Sequence, residues 1–150
     1  MADKIDIINR ALRALAEQPI GSITEKSEEA NIMRDIYDIE LDAEIRDFPY
    51  TWAQRTVELV ELTEDAPDYG NVYQLPADYV MMVEIVNTAS GATVWSYWDT
   101  VYTWLSPSHQ EWEIREDKLY INNSTVCIKY TVMEIDTTKW DASFVLGFAY

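Results

Sequence analysis

The sequence predicts a mixed α+β chain. An N-terminal α-hairpin is completed by a C-terminal helix into a small helical bundle, and a mostly antiparallel β subdomain is inserted between them. Three observations predict this. Apolar residues recur at three- and four-residue spacing before residue 50. After Trp52 the pattern becomes extended and rich in valine and leucine. Helical spacing returns with Trp140, Phe144 and Phe148. The expected segments are a helical hairpin over 1–53, a β subdomain over 54–135, and the start of a C-terminal helix over 136–150.

The first helix is capped by Asp3 and places Ile5, Ile8, Leu12 and Leu15 on one face. Gln18-Pro19 and Gly21 are expected to end it. Ser27 caps the second helix, and Glu28 and Glu29 sit in its first turn, where carboxylates favour the helix dipole. Met33, Tyr37, Leu41, Ile45 and Phe48 form its apolar stripe, and Pro49 closes it. Arg55–Leu62 reads as extended, and Thr63–Gly70 as turn. Met81–Val86 and Val94–Trp98 read as strands. Lys118–Ile121 and Val126–Met133 read as a strand pair around the turn Asn122-Asn123-Ser124. Lys139–Tyr150 begins as an amphipathic helix and stops on apolar residues without a cap. Either it docks into the hairpin or the natural chain continues past Tyr150, and the abrupt end favours continuation.

Composition excludes several classes. The chain has 150 residues, a net charge of -16, and 13% aromatic residues. A chain of this size buries enough surface to fold without a disulfide or metal. No apolar run approaches the ~20 residues of a membrane span, and no charged n-region followed by an apolar h-region opens the sequence. The acidic excess is spread: 12 acidic groups against 6 basic in 1–50, 8 against 1 in 51–100, and 7 against 4 in 101–150. Tight phosphate binding needs clustered lysine and arginine, so such binding is not expected. The charge serves solubility, or it lets a surface pass near a polyanion without sticking to it.

Catalytic and metal motifs are missing. One cysteine, Cys127, and one histidine, His109, cannot form a cysteine- or histidine-rich zinc site. Cys127 lies between Val126 and Ile128 and reads as a packing residue; His109 sits in the turn-like Ser106-Pro107-Ser108-His109. No nucleophile elbow, phosphate-binding loop or dinucleotide fingerprint occurs. Glu111, Glu113, Glu116 and Asp117 are close enough in sequence to suggest a carboxylate pair, but with 27 acids such clusters arise by chance. No catalytic residue, cofactor or metal is therefore expected.

The aromatic cluster is the strongest candidate site. Four of the six tryptophans lie between Trp95 and Trp112, with Tyr97 and Tyr102 among them. On a strand, Trp98, Tyr102 and Trp104 would face one way, and Trp95 and Tyr97 the other. Some of these rings are expected to pack beneath the β subdomain. As an oligomer or partner interface, Trp95, Tyr97, Trp98, Tyr102 and Trp104 supply the rigid contact area that dominates hot spots. A carbohydrate platform would use the same side chains.

Several short motifs occur in an order that resembles one family. Lys4-Ile5-Asp6-Ile7-Ile8-Asn9-Arg10-Ala11-Leu12 followed by Gln18-Pro19-Ile20 resembles the opening of the tail tubular protein A family, the head-to-tail adaptors of short-tailed bacteriophages. Phe48-Pro49-Tyr50-Thr51-Trp52-Ala53 is similar to its segment after the long helix, although the family usually has proline directly before tryptophan. Tyr73-Gln74-Leu75-Pro76-Ala77-Asp78 is similar to its L-P-x-D turn. Lys129-Tyr130-Thr131, Asp136 and Trp140-Asp141 are similar to its last strand and the entry to its C-terminal helices.

The resemblance implies a helical bundle with an inserted β subdomain. It implies a homo-oligomeric ring, usually a dodecamer, between the phage portal protein and the tail nozzle protein. Double-stranded DNA would pass through the ring without specific binding, and an acidic lumen would let it slide. The protein would be made in the cytoplasm of a bacterial host and reside in the virion neck, without enzymatic activity. Two other readings remain: a glycan-binding module built on the Trp95–Trp112 cluster, and a cell-wall hydrolase using Glu111 or Glu113.

Overall fold

The computed structural model describes residues 2–98 and 112–150. The fold is mixed α+β, as the sequence predicts, with helices toward both ends of the chain and antiparallel sheets between. It divides into two compact units, Met1–Trp52 with Met133–Tyr150, and Ala53–Val132.

The first unit holds three helices: α1 (Lys4–Ala14), α2 (Glu28–Asp47) and α3 (Ala142–Phe148). The side chain of Asp3 accepts from the N–H of Asp6, and the Asp6 side chain accepts from the N–H of Asp3. This reciprocal capping box satisfies two donors that the helix itself leaves open. Ser27 caps α2 through Ala30, and Asp141 caps α3 through Phe144. The Asn9 amide donates to Ile20 O and accepts from Ile20 N–H at 2.9 and 2.8 Å, which ties the α1–α2 loop to α1. The core gathers Ile7, Ile8 and Leu12 with Met33, Tyr37, Leu41, Ile45, Trp140, Phe144 and Val145.

The end of α1 departs from the sequence expectation. The helix stops at Ala14, before Gln18-Pro19, and Leu15 leaves the apolar face to stand 67% exposed. The N–H of Ala16 bonds to Arg13 O and the N–H of Glu17 to Leu12 O, the two bonds of a Schellman motif. That motif needs a left-handed residue, and Ala16 supplies it at φ 60°. Alanine is strained there and glycine is not. Ala16→Gly should therefore stabilise the protein by about 0.5–1 kcal/mol, read as a higher urea midpoint at unchanged slope. A lower midpoint would contradict the cap.

Among the described residues, the second unit holds two antiparallel four-stranded sheets. The strands are β1 (Gln54–Glu58), β2 (Glu61–Leu62), β3 (Asn71–Gln74), β4 (Met81–Asn87), β5 (Thr93–Ser96), β6 (Trp112–Arg115), β7 (Lys118–Ile121) and β8 (Val126–Thr131). Their orders are β1-β8-β4-β5 and β2-β3-β7-β6. Buried Tyr73, Ile85, Leu119, Ile121, Val126, Ile128 and Tyr130 belong to one apolar core.

Four expectations change here. Arg55–Leu62 is not one strand: β1 and β2 belong to different sheets, and buried Leu59 marks the crossing, its N–H bonded to Val126 O. Lys118–Ile121 and the strand after it do not pair. β7 lies between β3 and β6, whereas β8 lies between β1 and β4. Leu119 and Ile121 alternate inward on β7, as do Val126, Ile128 and Tyr130 on β8. Placing these rows in different sheets lets both enter one core. The turn is fastened by Tyr73, whose hydroxyl donates to Asn123 O, and by Asn122, which accepts from Gly70 N–H. β8 ends at Thr131 rather than Met133, and β5 ends at Ser96, with helical backbone at Tyr97 and Trp98.

Candidate functional site

Among the described residues, β5 and β6 are each the last strand in the order of their sheet. Trp95 is paired with Ile85 of β4, and Trp112 with Ile121 of β7. Both side chains are half-buried and pack against the core of the β unit. Their rings meet edge to face, with centroids 5.0 Å apart and an interplanar angle of 68°, a geometry favoured by the ring quadrupoles. This pair joins the margins of the two sheets. Trp95 thus contributes to packing within the unit.

Tyr97 and Trp98 continue from β5 and contact each other edge to face at 5.4 Å. Trp98 is 40% exposed, and Tyr97 is intermediate. The expected alternation of faces stops at Ser96, because the helical backbone at 97 and 98 abolishes the period of two. Tyr102, Trp104, His109 and Glu111 lie outside the described residues. The structure therefore brings together Trp95 with Trp112 and Tyr97 with Trp98.

A second aromatic group lies in the helical unit. Trp140 contacts Phe144 at 5.0 Å and Phe148 at 5.7 Å, and Trp52 contacts Phe144 at 4.7 Å. The four-residue spacing from Trp140 is the sequence signal for part of this group. Nothing local marks Trp52 as its partner, since that pairing spans most of the chain.

Arg115 holds its two neighbouring carboxylates in the charged form. Arg115 donates to both Asp68 and Glu113 and lies 4.7 Å from the centre of the Tyr120 ring. Its hydrogen bonds hold the Glu113 and Asp68 carboxyls below their ordinary values. These pairs contribute above the usual carboxylate range, and their contribution is lost as the pH falls through the lowered values. A general acid for glycoside cleavage needs the opposite shift. Burial, followed by Glu58 and Glu84, raises the Cys127 thiol, which keeps it protonated at neutral pH. Among the described residues, no group of three or more histidine, cysteine or carboxylate side chains is placed to hold a metal ion. Among those residues, no helix is long and apolar enough to cross a membrane.

The acidic charge is densest on α2, which carries eight carboxylates against two arginines. Arg46 pairs with Asp42 at 2.9 Å and Lys4 of α1 with Asp38 at 3.1 Å, while Arg34 donates to Ile23 O in the loop and to Asn31 on α2 itself. The helix therefore presents a mostly uncompensated acidic surface. Compared with known proteins, the chain matches no family model, and no curated protein matches its sequence at a level that shows kinship.

Proposed function

We propose that this protein is a structural virion component, a head-to-tail adaptor. In this reading it forms a ring of identical copies, a dodecamer by resemblance, between the portal protein and the tail nozzle protein. It performs no catalysis, and the ring forms part of the DNA channel in the virion neck. The observation that carries the reading is the chain order: a helical unit drawn from both ends of the chain, with an antiparallel β unit inserted. That is the arrangement implied by the ordered motifs from Lys4 to Asp141. The net charge of -16 and the carboxylates of α2 support a surface past which phosphates slide rather than bind.

The aromatic cluster fits this reading better than a sugar platform. A platform requires open ring faces, and Trp95 is engaged with Trp112 and the core. Trp98 keeps the exposure that an interface anchor would use. Quantitative mass spectrometry of purified phage particles tests the assignment. This chain is expected at about one copy for each portal subunit, as two coaxial rings of matched symmetry would give. Its absence from particles that carry the portal would contradict the assignment.

A further inference from the structure

Helix α2 bears two apolar stripes. Ala30, Met33, Tyr37, Leu41 and Ile45 are buried in the helical unit. Ile32, Ile36, Ile39 and Ala43 form a second row with spacings of four, three and four. That row is open: Ile32 is 50% exposed, Ile36 42% and Ile39 67%. One stripe suffices to dock a helix into its own unit, and a second row at three- and four-residue spacing is a ridge along which another helix can pack.

The surroundings of this seam define what fits it. Ile36, Leu15 and Tyr150 line a groove of about 380 Å³, and Ile32 and Leu15 line a second of about 310 Å³. The charged residues around these grooves are Glu17, Glu28, Glu29, Glu40 and Glu44, with no lysine or arginine among them. A second α2 laid on the seam would set carboxylates against carboxylates, which disfavours a self-complementary pair. A helix with cationic flanks would meet complementary charge. From Ile32 to Ala43 the seam runs about 17 Å at 1.5 Å per residue, room for a helix of about three turns.

We propose that this seam docks an amphipathic helix of another protein, with an apolar face flanked by lysine or arginine. The proposal does not depend on the adaptor reading. The test uses three fluorescein-labelled peptides of 18 residues, titrated in 150 mM salt to screen diffuse attraction. One has leucine at alternating three- and four-residue spacing with lysine elsewhere, the second scrambles that sequence, and the third replaces lysine by glutamate. The ordered lysine peptide is expected to bind at least about tenfold more tightly than either control and to gain helicity. Ile36→Asp and, separately, Ile39→Ser are expected to weaken it by about tenfold, with the circular dichroism of the protein unchanged. If Ile36→Asp disturbs the fold, Ile39→Ser, at the most exposed isoleucine of the row, carries the test.

Three results would overturn the proposal. Equal binding of the scrambled peptide would show only attraction to an acidic surface. Undiminished binding by a folded Ile39→Ser variant would place the peptide elsewhere. A concentration-dependent dimer of the protein alone, lost in either variant, would show that a second copy occupies the seam.

Discussion

Trp140→Ala should cost about 3–5 kcal/mol and leave the helical unit largely unfolded under mild denaturant. The indole is 6% exposed, and its Nε1–H donates to Glu134 O at 2.9 Å. It contacts Trp52, Phe144 and Phe148 at centroid distances of 5.8, 5.0 and 5.7 Å. Truncation removes the ring area, opens a cavity among aromatics that cannot collapse freely, and leaves a carbonyl without its donor. α3 has only seven residues, too few to persist without packing. Loss of helical circular dichroism and a lowered urea midpoint are the expected readouts. Trp140→Phe keeps much of the ring and loses the donor, so it should cost less, about 1–3 kcal/mol. A Trp140→Ala variant within about 1 kcal/mol of the parent would show that this aromatic group does not hold the unit together.

The corresponding position in the β unit is Tyr73. It is 1% exposed on β3, opposite Leu119 of β7, and its hydroxyl donates to Asn123 O in the segment that carries the chain from β7 to β8. Tyr73→Ala should cost about 3–5 kcal/mol, through loss of the ring and of that anchor. Tyr73→Phe isolates the hydroxyl and should cost about 1–2 kcal/mol.

The same phenol has a pH signature. Burial pushes its pKa up to about 12. An unfolded tyrosine ionises near 10. The folded value is the higher one, so the phenol's contribution is fully present below about pH 10 and is lost as the pH rises toward about 12. Tyr37 and Tyr79, raised to about 12 chiefly by burial, add to this alkaline loss. Tyr73→Phe should flatten part of it; an unchanged alkaline profile would show that this phenol ionises without unfolding.

Sequence signals are legible where the chemistry is local. The caps at Asp3 and Ser27, the α2 core stripe and the apolar spacing from Trp140 each join residues three or four positions apart, and the structure uses them, except that Phe48, expected at the end of the α2 stripe, is the extended C-cap residue and stands 42% exposed. The end of α1 is hidden because Ala16 adopts a conformation usually left to glycine. β3 is hidden because Val72 and Tyr73 are both buried, which erases the alternation of a half-exposed strand. The turn at Asn122-Asn123-Ser124 is legible, but a turn signal does not say whether the next strand returns to the same sheet. That choice is made by the shared core and by Tyr73, fifty positions away from Asn123.

For the candidate site, composition marks the aromatic cluster but not the partner of each ring. Trp95 and Trp112 meet because they lie on β5 and β6, the margins of different sheets, a relation that no spacing rule encodes. The open row Ile32-Ile36-Ile39 stands in the sequence beside a stronger core stripe on the same helix. Only their exposure tells the two apart.

Electron microscopy of the purified chain mixed with the portal protein that the adaptor account requires as its partner, set against each protein alone, tests that account most directly. The predicted result is a ring of added density stacked coaxially beneath the portal, with one copy for each subunit that it contacts. A folded chain that leaves the portal particles unchanged, at concentrations well above those of assembly, would contradict it.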